Sequence, residues 1–244
     1  AVCAVCGAEV ATKACARCKT LYCSPHCQQE HWNTGHKKQC KKIQRAGGAE
    51  QFHADAKFKE AADAAVATFG DDENNICAEF GTYHGRSLRV LDRRLPTNWQ
   101  LHGFDSFVGL PEQWRHEPAG SYSVTGDRGE LTGCFPDRAE LHAGWFNETS
   151  APFATRVREN EDVLALLHVD CDLYSSARDC LSELAPLLVK GSVVLFDDFL
   201  AHETWREDEK RAWEEAVAEN GLEVEVVAAS LLSKQCCFRV VGVG

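Results

Sequence analysis

The chain has 244 residues, of which 44% are hydrophobic and 26% charged, with a formal net charge of −11. That composition is ordinary for a globular protein and leaves room for one large domain, or a medium domain with a small one. No apolar run approaches the roughly 18 residues of a membrane span, the opening AVCAVCGAEV has no basic stretch leading into an apolar one and so reads as no secretory signal, and the acidic balance argues against general nucleic-acid binding.

Seven of the thirteen cysteines fall in the first 40 residues. An odd total with no secretory signal argues against a disulfide framework and for metal binding in a reducing, intracellular compartment, cytoplasmic or nuclear. The spacing is Cys3-x2-Cys6, Cys15-x2-Cys18, Cys23-x3-Cys27 and His36-x3-Cys40. Zinc takes four Cys or His ligands in a closed structural site, so eight ligands make two Zn2+ sites. So short a segment buries too little core to fold alone, and metal supplies the missing stability. Residues 1–42 carry seven Lys and Arg against Glu9 and Glu30, a charge of +5, which leaves −16 for the rest. A solvated basic surface explains this more simply than an acidic partner. The spacing, with LYCSPHCQQEHW, resembles a MYND zinc finger across residues 1–42. The resemblance implies interleaved ligation, with Cys3, Cys6, Cys23 and Cys27 on one zinc and Cys15, Cys18, His36 and Cys40 on the other. Spacing by itself leaves a swap with His26 or His31 open. The resemblance also implies a protein partner bound through a short proline-containing peptide, with Gln28 and Trp32 near the groove; packing is an equal role for Trp32. Nothing after residue 42 looks like the SET domain that accompanies some such fingers.

Residues 43–75 read as a linker and a capping helix. Gly47-Gly48 marks a flexible boundary. In EQFHADAKFKEAADAAVATF the apolar residues Phe58, Ala62, Val66 and Phe69 recur at helical spacing, and Gly70 is a natural cap. From residue 76 to 244, strand-like runs alternate with helical ones. The strands are ICAEF, WQLHGF, AELHAGW, VLALLHV, SVVLF, LEVEVVAA and QCCFRVV. SSARDCLSELAPLLVKG reads as a helix ending at Gly191, and ETWREDEKRAWEEAVAENG as one ending at Gly221. Alternation of this kind predicts a parallel sheet with helices on both faces. The short LLSK connection makes the last two strands an antiparallel edge hairpin. The expected fold class is therefore α/β, with the Rossmann-like seven-stranded sheet of class I S-adenosylmethionine (SAM) methyltransferases behind a small finger.

In such sheets ligands bind beyond the carboxyl ends of the strands. EFGTYHGRS follows the first strand, and Gly81 and Gly85 allow a tight turn and close approach of backbone to a ligand. The helix opening near Ser87 offers free N–H groups to a carboxylate. Asp105, in GFDSF after the second strand, is placed to meet ribose hydroxyls, against the alternative of a solvated acid. Trp145 and Phe146, in AGWFNET, are candidates to flank an adenine or simply to pack. HVDCDLYSS and LFDDF end two expected neighbouring strands in acid, at Asp170, Asp172, Asp197 and Asp198. Carboxylates brought this close raise one another's pKa or recruit a cation, and hard oxygen ligands favour Mg2+ or a similar divalent ion.

Taken together, GFDSFVGLPEQW, LHAGWFNET, HVDCDLYSS and LFDDF resemble the macrocin O-methyltransferase (TylF-type) family over most of residues 76–240. The resemblance implies a SAM- and magnesium-dependent O-methyltransferase acting on a small-molecule hydroxyl, sugar-like or a diol. It implies Asp170, Asp197 and Asp198 as metal ligands, Asp170 also as the general base, and Asp172 as a brace. It implies that Glu79 meets the amino group of SAM, that the Gly81–Ser87 loop, with Thr82, Tyr83, Gly85 and Ser87, meets its carboxylate end, and that Asp105, Ser106 and Trp145 hold its ribose and adenine side. Cys171 and Ala177 depart from the family pattern without removing a ligand. The finger is foreign to antibiotic-tailoring members, so two other readings stand beside the first. One is a peptide-binding protein on a degenerate methyltransferase scaffold; the other is a protein methyltransferase.

Overall fold

A computed structural model describes residues 13–14, 21–22, 49–124 and 134–244. Ahead of residue 49 it shows one antiparallel ladder, β1 (Lys13–Ala14) against β2 (Leu21–Tyr22). All eight expected zinc ligands, Cys3, Cys6, Cys15, Cys18, Cys23, Cys27, His36 and Cys40, lie outside the described residues, as do Gln28 and Trp32.

Seven strands form the main sheet: β3 (Asn75–Phe80), β4 (Gln100–Asp105), β5 (Ala139–Ala143), β6 (Val163–Val169), β7 (Val193–Phe196), β8 (Leu222–Ala229) and β9 (Cys236–Val243). Their order is β5-β4-β3-β6-β7-β9-β8. β9 runs antiparallel to both neighbours and every other pairing is parallel. The chain steps outward from β3 to β5 and then crosses back to β6. The direction of winding therefore reverses between β3 and β6, and a crevice opens there above the strand ends.

Strands buried on both faces need apolar side chains on both, and alternation divides them. Ile76, Ala78 and Phe80 pack in one core, with Phe153 and Val157 of α3 (Phe146–Glu159), Leu181 and Leu184 of α4 (Tyr174–Leu184), and Trp213 of α5 (Glu209–Glu219). Cys77, Leu101, Leu166 and Leu195 face the other core, against α1 (Ala49–Phe69) and α2 (Arg86–Asp92). Phe58, Ala61, Ala62 and Ala65 are the buried face of α1, with Val66 and Phe69 half-covered. Burying Phe58 alone is worth about 1.5–3 kcal/mol. The small alanines let α1 lie close on β6–β9, so this helix is a layer of the sheet domain rather than only a cap before it. Among the described residues no helix is long and apolar enough to cross a membrane.

Three helices differ from expectation. α3 was not anticipated, because FNETSAPFATRVRE mixes β-branched and polar residues with an internal Pro152. α4 stops at Leu184 and passes into a 3-10 turn over Ala185–Leu187, because Pro186 has no N–H to continue the ladder. α5 begins at Glu209 rather than near Glu203. Before it, the Asp208 carboxylate accepts from the Thr204 hydroxyl and from the Trp114 indole N–H, the latter at 3.2 Å.

At the far edge, Arg156 Nη2 lies 2.8 Å from His102 Nε2, and His102 Nδ1 lies 3.2 Å from His142 Nε2. Arginine only donates. His102 Nε2 is therefore the acceptor, and its Nδ1–H points to His142. Burial, with the Arg156 charge second, holds the His102 pKa down at about 3.

Candidate functional site

The crevice between β3 and β6 holds a cavity of about 440 Å³. Its floor depends on Gly81, with φ +95°, where a Cβ would stand 1.9 Å from the backbone oxygen of Asp170. No side chain fits there, so the two strand ends close on each other across a glycine. Gly85, at φ +67°, meets the Phe135 ring in the same way. Asp105 closes the β4 end, where Oδ2 accepts the Tyr83 N–H at 2.8 Å and Oδ1 the Phe107 N–H at 2.6 Å. Burial raises the Asp105 pKa and these two bonds oppose the rise. Ser106 Oγ donates to Gly109 O and accepts from Val108 N–H, which shapes the turn that follows.

Five of the nine residues expected to hold SAM line the cavity: Gly81, Tyr83, Asp105, Ser106 and Trp145, with Phe146 beside them. Glu79, Thr82, Gly85 and Ser87 are not among the lining residues. Alternation explains Glu79, which shares the α1-facing side of β3 with Cys77. It is fully buried there. Its Oε1 accepts from the Ser87 hydroxyl at 2.7 Å, and its Oε2 lies 3.3 Å from His168 Nδ1. This ties Glu79 to Ser87 beneath the loop. Thr82 is likewise buried, with a hydroxyl that finds no partner among the described residues.

β6 and β7 are parallel neighbours, with Val169 opposite Phe196, so the acids that follow them meet. Carboxylate oxygens of Asp170, Asp172 and Asp198 all come within 4.8 Å of one another. This differs from the expected set of Asp170, Asp197 and Asp198. Asp172 enters because φ +61° at that residue turns it back toward the cavity. Asp197 is instead tied to the Gln235 side-chain amide. Burial first, then the neighbouring acids, raises Asp170 and Asp172 well above the usual carboxylate range. Asp197 also rises through burial, with His168 opposing. Lys234 Nζ stands 3.0 Å from Asp198 Oδ1. Three converging carboxylate oxygens are hard donors of the kind that fit a divalent cation such as Mg2+.

Sequence reasoning missed several neighbours. Trp114, Arg115, Tyr122 and Lys234 line the cavity. Ser175 Oγ donates to Glu112 Oε1 at 2.5 Å, joining the segment after β4 to α4. Glu209, fully buried, accepts the Cys171 N–H. Burial and the nearby acids raise its pKa well above the usual range. The Trp in GFDSFVGLPEQW and the Lys in LLSK were visible as motif residues; nothing in the sequence marks Glu209.

Residues 78–199 match the family model described as a methyltransferase domain, and residues 3–40 match the MYND finger model. A 42-residue stretch is 52% identical to ubiquitin carboxyl-terminal hydrolase 19 of Arabidopsis thaliana, covering 17% of this chain and 6% of that protein. A 110-residue stretch is 34% identical to the 8-demethyl-8-(2,3-dimethoxy-alpha-L-rhamnosyl)-tetracenomycin-C 4'-O-methyltransferase of Streptomyces olivaceus, covering 39% of this chain and 40% of that one. The chain thus spans well under two thirds of both curated relatives. In fold it is similar to the calicheamicin methyltransferase CalS11, with a TM-score of 0.60 at 19% identity over 88% of this chain and 93% of that one. Strand order, the glycine-floored crevice and the match over residues 78–199 agree: the chain belongs to the methyltransferase-domain family, and the segment ahead of its sheet matches the MYND finger.

Proposed function

We propose that the chain is a SAM-dependent O-methyltransferase that uses a divalent cation and acts on a small-molecule hydroxyl, sugar-like or a diol. The observation that carries this reading is the convergence of Asp170, Asp172 and Asp198 on the cavity that Gly81 and Asp105 also line. The sugar-like acceptor is supported by the tetracenomycin rhamnosyl O-methyltransferase relative. When bound, SAM supplies an electrophilic methyl group, and a cation held by the three acids lowers the pKa of an acceptor hydroxyl. Asp105 has lone pairs beyond those taken by Tyr83 and Phe107 and is suited to accept from ribose hydroxyls. Trp145 and Phe146 give an apolar wall for the adenine side. Asp170, with its raised pKa, takes the hydroxyl proton on a carboxylate oxygen. Most of the rate gain would come from positioning and fixed charge. The finger, with two Zn2+ held by its eight Cys and His ligands, would recruit a protein through a proline-containing peptide.

The test is a screen of sugars, diols and catechols with methyl-labelled SAM, with and without Mg2+. Transfer that depends on Mg2+ and is lost in Asp170→Ala supports the proposal. SAM binding with no transfer to any acceptor favours the degenerate-scaffold reading, and labelling of a peptide favours a protein methyltransferase.

A further inference from the structure

We infer that Glu209 is a positioning residue for the acid cluster: it holds the Cys171–Asp172 turn so that Asp172 faces Asp170 and Asp198. The inference rests on the proposed metal-assisted reading of that site. Glu209 is the first residue of α5 and is 0% exposed, although it sits in the charged run REDEKR. Its Oε1 accepts two consecutive amides, Cys171 N–H at 2.7 Å and Asp172 N–H at 3.2 Å. Asp172 has φ +61°, a conformation that L residues adopt at a cost and keep only where the surroundings hold it. Without that φ the residue would not turn back beside Asp170. The next residue, Leu173, is drawn into the same turn by its N–H bond to Cys171 O at 2.6 Å. The second oxygen of Glu209, Oε2, is buried with no hydrogen-bond partner among the described residues. Burying a carboxylate with one oxygen unpartnered, beside three other acids, is costly. A surface-type charged segment that turns one acid inward gains the geometry of the turn in return.

The mechanism requires an acceptor oxygen at the reach of a Glu side chain and requires no charge. We therefore compare the wild-type 244-residue chain with Glu209→Gln, Glu209→Asp and Glu209→Ala. Glu209→Gln keeps the acceptor and the reach, Glu209→Asp keeps the charge and loses the reach, and Glu209→Ala loses both. Mn2+ is the probe, read from the electron paramagnetic resonance signal of the free ion. Hydrogen exchange of the Cys171 and Asp172 amides is followed in metal-free protein, and circular dichroism verifies folding. We expect Glu209→Gln to bind Mn2+ within about threefold of wild type. Glu209→Asp and Glu209→Ala should bind at least about tenfold more weakly, as loss of an outer-sphere support usually costs, with faster exchange at both amides. If Glu209→Ala does not fold, the Gln and Asp variants still decide. Asp binding as well as or better than Gln would mean that Glu209 acts through its charge and would overturn the inference. Unchanged amide exchange and unchanged Mn2+ affinity in Glu209→Asp would overturn it as well. If wild type binds no Mn2+, the metal reading of the site fails, while the exchange measurement still reports whether Glu209 holds the turn.

Discussion

Replacing Gly81 with Ala perturbs the floor of the cavity at a point the structure defines sharply. The new methyl would stand 1.9 Å from the Asp170 backbone oxygen, and the backbone there has φ +95°. The positive φ costs an L residue about 1–2 kcal/mol, and forcing apart two packed strand ends costs about 1–3 kcal/mol more. A total near 3 kcal/mol would lower the Tm of a chain this size by about 6–12 °C. Gly70 is the control, because it also has positive φ, at +65°, yet among the described residues no atom lies within 4 Å of where its Cβ would stand. Gly70→Ala should therefore lose only the first part, about 2–8 °C. The Asp170 carbonyl is the atom displaced, so Gly81→Ala should also weaken Mg2+ binding, whereas Gly70→Ala should not. Thermal melts of both variants across a Mg2+ titration measure the two effects together. Equal melting temperatures and equal Mg2+ responses would refute the claim that the glycine floor sets the acid cluster.

Other consequences follow from the charges. Asp170 and Asp172 have folded pKa values raised above their unfolded ones, so their contribution to stability is present at acid pH and lost as pH rises through the folded values. Mg2+ should thus raise Tm more at pH 8 than at pH 5, with a total stabilisation of about 2.7 kcal/mol wherever it is present at a hundred times its Kd; a pH-independent shift in scanning calorimetry would contradict this. Asp172→Asn should stabilise the metal-free protein at pH 8 and abolish most of the Mg2+ response in the same experiment. His102 works in the opposite direction, because its folded pKa is depressed to about 3. Its contribution is complete above pH 6.5 and is lost as pH falls, by about 2 kcal/mol at pH 5. The pH dependence of urea unfolding should be shallower by that amount in His102→Gln than in wild type. Asp105→Ala should weaken SAM about tenfold or more in calorimetry, because it removes both the candidate ribose acceptor and the anchor of the Tyr83 N–H.

Much of the sheet was legible because doubly buried parallel strands must be continuous apolar runs. VLALLHV is such a strand, at the bounds its pattern indicates; LEVEVVAA, an antiparallel edge strand with much of its length exposed, was legible instead from its β-branched valines and its short connection to the next strand. The helices were less legible for local reasons. α3 carries Asn147, Thr149 and Pro152, all poor helix formers, and it forms because Phe153, Ala154 and Val157 bury against the sheet. α5 looked longer because ETWRED has helical composition, whereas its Thr204 and Asp208 side chains close turns ahead of the helix. In the site, the acids and glycines at strand ends could be read, but their directions could not. Asp172 joins the cluster through one left-handed residue that no pattern announces. The Asp197 carboxylate is taken by Gln235, 38 positions further along the chain, a pairing that no motif announces. Glu79 would have been separable from the loop residues by period-two alternation with Cys77, a signal present in ICAEF. Glu209 was hidden because a lone buried acid within a charged run is indistinguishable from its solvated neighbours.

The most direct measurement is calorimetric titration of Mg2+ into the SAM-loaded chain, wild type against Asp170→Asn. We expect saturable binding in wild type and at least about a hundredfold weaker binding in the variant, since a ligand is replaced in a site with three carboxylates. Indistinguishable isotherms for the two proteins would contradict a metal site built on Asp170, Asp172 and Asp198.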